Sequence, residues 1–119
     1  MIAQYTAASV VNRNKILCTP ASVDSIPSSM GQEDHVSMAA NSGTKLKEVV
    51  RNTAFILAIE FLSATQAVEL KGIQDKLSPL MQNIFEAYRQ FVPLIEQDVI
   101  VHDYIQATLD FFDKLDFSE

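Results

Sequence analysis

The residues best equipped for chemistry stand together at Gln32-Glu33-Asp34-His35, the densest polar run of the chain. Two carboxylates beside an imidazole could ligate a metal or pass a proton. Their spacing argues against a shared metal. Adjacent residues at a helix start point in different directions, whereas helical ligand pairs sit about three or four positions apart. The ordinary reading is a helix start with its acidic residues on the positive end of the dipole. A metal-dependent hydrolase built on Glu33, Asp34 and His35 stands as a rival, and no bound metal is expected. Cys18 could act as a nucleophile only if His35 folded back beside it, and no known signature surrounds it. A small buried thiol is the simpler expectation. His102 reads as a surface residue near the start of the last helix. Asn41-Ser42-Gly43 has neither the glycine pattern nor the trailing Lys-Ser/Thr of a phosphate loop. Met30, Met38 and Met81 form no stripe and read as core or loop filler.

The elements that must position these residues are helices. With only three Gly and four Pro in 119 residues, little interrupts regular structure. Apolar residues at loosely helical spacing predict a first helix over Ile2–Leu17. Its last turn carries Asn12-Arg13-Asn14-Lys15, whose positive charge suits the C-terminal end of the dipole. Cys18–Gln32 breaks the period with Pro20, Pro27, Gly31 and several serines, and reads as a loop that is long for a compact domain. Long loops inside compact proteins are disproportionately functional. From Asp34, a candidate N-cap, a second helix runs to Leu70, with a weak spot at Asn41-Ser42-Gly43-Thr44 where it could kink. Gly72 suits the left-handed position that closes it. Ser78-Pro79 opens a third helix as N-cap and first helical residue, striped by Leu80, Ile84, Phe85, Tyr88, Phe91 and Val92 and interrupted at Pro93. A last helix, about His102 to Leu115, is carried by Tyr104, Ile105, Leu109, Phe112 and Leu115. No strand pattern or repeat is present, so the expected class is all-α and the chain reads as one helical segment over 1–119.

Ala54 to Ala64 is apolar nearly all the way round. A surface helix would show a single stripe, so this stretch is expected to be buried on most sides. It reads as too short and too interrupted, by Glu60, Gln66 and Glu69, for a membrane span. Three shorter helices cannot enclose it. Leaving Phe55, Ile59 and Leu62 exposed would forgo roughly 1.5–3 kcal/mol each. The chain is therefore expected either to oligomerise through this helix or to be completed by further sequence.

Composition removes other functions. A net charge of −6 and scattered basic residues, at their densest in Lys45 and Lys47, leave nothing to track a nucleic-acid backbone or an anionic membrane. A single cysteine excludes an intrachain disulfide. No basic stretch followed by an apolar run opens the sequence, and a cytoplasmic location is the expectation.

Three ordered blocks carry a family likeness. Met-Ile-Ala-Gln-Tyr-Thr-Ala-Ala at Met1–Ala8, Pro-Ala-Ser-Val-Asp-Ser-Ile-Pro at Pro20–Pro27 and Gln-Glu-Asp-His-Val-Ser-Met at Gln32–Met38 resemble the histidine ammonia-lyases. Leu57-Ala58-Ile59-Glu60 and Ala67-Val68-Glu69-Leu70 continue the match, which weakens after about Lys71 and corresponds to the C-terminal part of a much longer subunit.

The resemblance implies an all-α homotetramer that eliminates ammonia from L-histidine to give urocanate, with active sites assembled from three subunits. It implies a methylidene-imidazolone electrophile, made by cyclisation of an internal Ala-Ser-Gly in the complete subunit. It carries Glu33 over as a substrate-pocket residue, with Gln32 and His35 supporting the loop. Related lyases acting on phenylalanine read Asn-Gln-Asp-Val at this place. The difference is chemically sensible, since an imidazole N–H can donate to a carboxylate and a phenyl ring cannot. No Ala-Ser-Gly occurs in these 119 residues, and the family's catalytic Tyr and substrate-binding Arg belong to sequence upstream of this match. No complete catalytic set is thus expected here, and the segment alone is expected to be inactive. The alternative is a non-catalytic helical oligomerisation module that keeps the lyase shape.

Overall fold

Four α-helices and single 3-10 turns make up the computed structural model, which describes residues 2–115. The helices are α1 (Ile2–Leu17), α2 (Ala39–Lys71), α3 (Pro79–Arg89) and α4 (Val101–Phe112). Among the described residues there is no strand, only an isolated antiparallel bridge between Ser28 and Glu33. The all-α expectation and the long helix are both met. Met1, the first residue of the first family-like block, lies outside the described residues. The contacts group into two compact units, residues 2–53 and the residues from Ala54 onward, with α2 contributing to each.

In the first unit α1 has the bounds its periodicity predicts. Polar contacts tie it to α2: Arg13 Nε meets Glu48 Oε1 at 3.0 Å, and Asn52 Nδ2 donates to Asn14 Oδ1 at 2.8 Å. Lys45 Nζ donates to the Thr19 carbonyl. No residue of α1 is buried, and Ile2, Tyr5 and Ile16 stand exposed.

The start of α2 differs from expectation. Asp34 is not its N-cap; the helix begins at Ala39, after Met38 takes a left-handed φ of 53°. Residues 34–38 form no helix, and a contact distant in sequence holds Val36 among them, the Ser25 hydroxyl bonding both its N–H and its C=O. A tertiary hydrogen bond of this kind overrides local helix signals. Asn41-Ser42-Gly43-Thr44 is no kink but the opening of an uninterrupted helix, with Ser42 N–H already donating to the Met38 carbonyl.

The far end of α2 closes as Gly72 predicts. Gly72, at φ 60°, donates to the Glu69 carbonyl, and Ile73 reaches back to Val68 at 3.2 Å. This paired closure needs a residue at ease in the left-handed region. Gly72→Ala is expected to lower the local opening free energy there by about 1 kcal/mol. Hydrogen exchange at the Ile73 amide reads the change.

The second unit holds the core. Ala58, Ile59, Leu62 and Thr65 of α2 are buried, with Phe85, Tyr88, Val92, Ile105, Thr108 and Phe111. Phe61 meets Tyr88 edge-on at 4.8 Å and Phe112 at 5.5 Å, and Tyr88 meets Phe111 at 5.2 Å. Ser78 caps α3 by accepting from the Met81 N–H, and Pro79 stands at its first turn. α3 has already ended at Arg89 before Pro93 is reached. The expected stripe of α4 faces the core: Ile105 is buried, Tyr104, Leu109, Phe112 and Leu115 are half-buried, and Thr108 and Phe111 join Ile105 as buried residues. The Thr108 hydroxyl is satisfied by the Tyr104 carbonyl at 2.7 Å and by Tyr88 Oη at 2.8 Å, so a polar residue sits fully buried without penalty.

Glu69 and Arg89 come within 2.6 Å in this unit, at an angle off the hydrogen-bond direction. Gln66, an interruption by composition, is a clamp: its side-chain amide donates to the Ile95 carbonyl at 2.8 Å and accepts from the Ile95 N–H at 3.1 Å. It thereby fixes the irregular segment between α3 and α4.

Burial raises the Tyr88 phenol above its ordinary 10.0, against the opposing pull of hydrogen bonds from Thr108 and Thr65 and of the Arg89 charge. The neutral phenol is thus favoured in the fold. Its contribution is fully present below pH 10 and is lost as pH rises from 10 through the raised folded value, because the unfolded chain ionises first. Stability is expected to fall above pH 10 in alkaline titrations, and Tyr88→Phe is expected to flatten that limb of the curve.

Within this chain the apolar girdle of α2 is only partly enclosed. Leu46, Val50, Leu57 and Leu70 remain exposed, Leu57 by 49 %. The shortness argument against a membrane span does not hold. At 33 residues, with an 18-residue window of mean hydropathy 1.4, α2 is long and apolar enough to cross one. A core helix passes the same test, and α2 packs its buried face on Tyr88 and Phe111.

Candidate functional site: the Ser28–His35 turn

Glu33 sits at the foot of a tight turn. Ser28 and Glu33 exchange both backbone hydrogen bonds, Ser28 N–H to Glu33 C=O at 2.9 Å and the return at 3.3 Å. Between them Ser29, Met30 and Gly31 carry φ of 53°, 58° and 86°. Gly31 adopts this region at no steric cost, whereas Ser29 and Met30 do not. The turn is therefore held by its surroundings and not by local preference. Further bonds close it: Gly31 N–H and Gln32 N–H donate to the Ser28 and Ser29 carbonyls. Beyond the bridge, Ser25 Oγ accepts from Val36 N–H at 2.8 Å and donates to its carbonyl at 3.2 Å.

The four residues singled out by sequence, Gln32, Glu33, Asp34 and His35, lie side by side on the exposed stretch leaving this turn. Among the described residues no side-chain hydrogen bond links them to each other, and no group of three His, Cys, Asp or Glu side chains is placed to hold a metal. What the arrangement offers is a solvent-facing carboxylate, Glu33, on a backbone fixed from both sides. Such a group can accept a hydrogen bond from, or pair with, a cationic or N–H-bearing ligand.

Sequence reasoning missed Ser25 and Ser28, the residues whose hydrogen bonds hold the turn. The available signal was a serine-rich loop, because serine hydroxyls habitually substitute for backbone partners. Two other readings change. Cys18 is exposed, not buried, beside Pro20 and Lys45 in a shallow recess, and Met30 is fully exposed at the turn tip. His102 is exposed in the first turn of α4, as expected.

The fold is all-α, with one long helix whose apolar surface is partly uncovered and a fixed turn that carries Glu33. The chain belongs to the aromatic amino acid lyase family, whose sequence model, described as Aromatic amino acid lyase, matches residues 1–90. It is 50 % identical over 114 residues to the histidine ammonia-lyase of Macrococcus caseolyticus, a match covering 96 % of this chain and 23 % of that relative. It is 46 % identical over 114 residues to the histidine ammonia-lyase of Bacillus subtilis, covering 96 % of this chain and 22 % of that relative.

Among solved structures, the histidine ammonia-lyase of Trypanosoma cruzi superposes with a TM-score of 0.87 at 38 % identity, over 95 % of this chain and 22 % of that one. The tyrosine aminomutase of Streptomyces globisporus superposes with 0.85 at 39 % identity, over 91 % and 20 %. The chain thus spans about 23 % of the length of the relatives it matches.

The family depends on the methylidene-imidazolone group. The residues here do not fit its precursor. Asn41-Ser42-Gly43, the nearest triplet, is wound into the first turns of α2, with the Ser42 N–H donating to the Met38 carbonyl, and helical backbone does not close on itself as cyclisation requires.

Proposed function

We propose that this chain is the C-terminal part of a histidine ammonia-lyase subunit and that its turn presents Glu33 to the substrate. In the complete enzyme Glu33 accepts a hydrogen bond from the imidazole N–H of L-histidine. This orients the ring while ammonia is eliminated to give urocanate. Gln32 and His35 flank that contact and support the loop. The electrophile, from an Ala-Ser-Gly elsewhere in the subunit, is part of the same proposal, as is inactivity of this segment alone.

One observation carries the reading: a carboxylate with no hydrogen-bond or ion-pair partner among the described residues stands on a turn whose backbone is strained and clamped. Strain of this kind persists where surrounding structure enforces it, commonly at ligand sites. A carboxylate also selects imidazole over a phenyl ring, because only the former has a donor to leave unpaired. Support for the substrate also comes from the 50 % identity with a relative named histidine ammonia-lyase, above the 39 % with the tyrosine aminomutase.

Homo-oligomerisation belongs to the same proposal. Its support is the exposed apolar residues of α2 and an open groove of about 560 Å³ lined by Leu57, Phe61, Met81, Ile84, Phe112 and Leu115. That surface equally suits the helical oligomerisation module, which needs no site. The reading frame upstream of Met1 in the native source separates the two. An in-frame extension encoding Ala-Ser-Gly supports the lyase, and an in-frame stop close to Met1 supports the module.

A further inference from the structure

We propose that Ser25 is a positioning residue for Glu33, standing in for a missing rung of backbone pairing. The inference rests on the lyase reading of Glu33 and adds a residue to it. Ser28 and Glu33 form one antiparallel pair. Continued outward in the same register, that ladder would pair Ile26 with His35 and bring Ser25 opposite Val36. Among the described residues no backbone hydrogen bond joins Ile26 and His35. A single rung between exposed segments is weak, because water competes for both of its hydrogen bonds.

The Ser25 side chain supplies the next tie. Its hydroxyl accepts from Val36 N–H at 2.8 Å and donates to Val36 C=O at 3.2 Å, binding both polar groups of one residue. Ser25 and Val36 are half-buried, whereas Gln32, Glu33, Asp34 and His35 are exposed. The tie therefore joins two half-buried residues, whereas the bridge joins half-buried Ser28 to exposed Glu33. Glu33 lies between two fixed points, the bridge at its own backbone and the Ser25 clamp at Val36. Without the clamp, residues 34–36 are free to follow their own preference for the helix that follows, and the Glu33 carboxylate moves with them.

The experiment uses the full-length subunit containing this chain, with kcat and KM for L-histidine measured on Ser25→Ala, Ser25→Thr, Glu33→Ala and the double variant Ser25→Ala/Glu33→Ala. Circular dichroism checks that each variant keeps its helices. Ser25→Ala is expected to lose about tenfold in kcat/KM, the consequence of breaking one clamp. Ser25→Thr, which keeps the hydroxyl, is expected to recover activity to within about twofold. In the Glu33→Ala background Ser25→Ala is expected to cost nothing further, because a residue that acts through Glu33 has nothing left to position.

Full activity in Ser25→Ala alongside an impaired Glu33→Ala overturns the role of Ser25 and leaves the lyase reading standing. An equal further loss in the double variant also overturns it, since Ser25 then acts independently of Glu33. Loss of helical signal in Ser25→Ala, not rescued by Thr, overturns it in favour of a folding role. Normal turnover by Glu33→Ala alone overturns both this inference and the reading beneath it.

Discussion

Replacing Glu33 by alanine in the full-length subunit is expected to lower kcat/KM for L-histidine by roughly 10- to 100-fold. The magnitude comes from one charge-assisted hydrogen bond, worth about 1.5–3 kcal/mol, at about 1.4 kcal/mol for each factor of ten. Glu33 is exposed and its side chain holds no other part of the turn, so the loss belongs to the ligand and not to the fold. Steady-state kinetics on the purified variant read it. Glu33→Gln refines the result, because the amide retains an acceptor oxygen and drops the charge. Little recovery assigns the effect to charge, and near-complete recovery assigns it to hydrogen bonding alone. Near-normal turnover by Glu33→Ala removes the residue from the site.

The second large effect lies in the core. Phe111→Ala is expected to lower the opening free energy of α4 and of the buried turns of α2 by about 3–5 kcal/mol. Phe111 is only 3 % exposed and touches Phe61, Tyr88 and Phe91, so truncation opens a cavity among those rings. Edge-to-face contacts such as that with Tyr88 are lost in addition to apolar area. Hydrogen exchange at the amides of Ala58–Thr65 and Ile105–Phe111, in the full-length protein, measures the change directly. A loss below about 1 kcal/mol would mean that the aromatic cluster is not what joins α4 to α2. The neighbouring Phe112, half-buried on the edge of an apolar groove, is expected to be less sensitive.

What the sequence made legible follows from how local each signal is. Ile2–Leu17, the Ser78-Pro79 start and the Gly72 stop depend on capping residues and periodicity within a few positions, and all three stand where they were expected. The start of α2 depends on Ser25 reaching Val36 across the loop, and no pattern around Asp34 encodes that contact. The apolar stripe of α4 placed Ile105 in the core, but the burial of Thr108 depends on its finding Tyr88, a partner on another helix, which a reading that ranks residues by polarity does not supply. The role of Gln66 as a clamp depends in the same way on Ile95, a partner 29 residues away.

The candidate site divides in the same way. Glu33 and its neighbours were visible as a motif resembling that of a known family. Their geometry was not visible, because the left-handed Ser29 and Met30 have no residue-type signature and are imposed by the bridge and the clamp. The apolar excess of α2 was visible, and its consequence is present in the structure as exposed Leu46, Val50, Leu57 and Leu70. These exposed residues are the observation behind the association proposed above.

The central claim is that Glu33 holds the substrate imidazole. A crystal structure of the full-length subunit with L-histidine bound tests it most directly. The account predicts a Glu33 carboxylate oxygen within about 2.7–2.9 Å of an imidazole nitrogen, with the Ser28–Glu33 turn as described here. An imidazole bound with its nitrogens satisfied by other residues, and Glu33 turned to solvent, would contradict it.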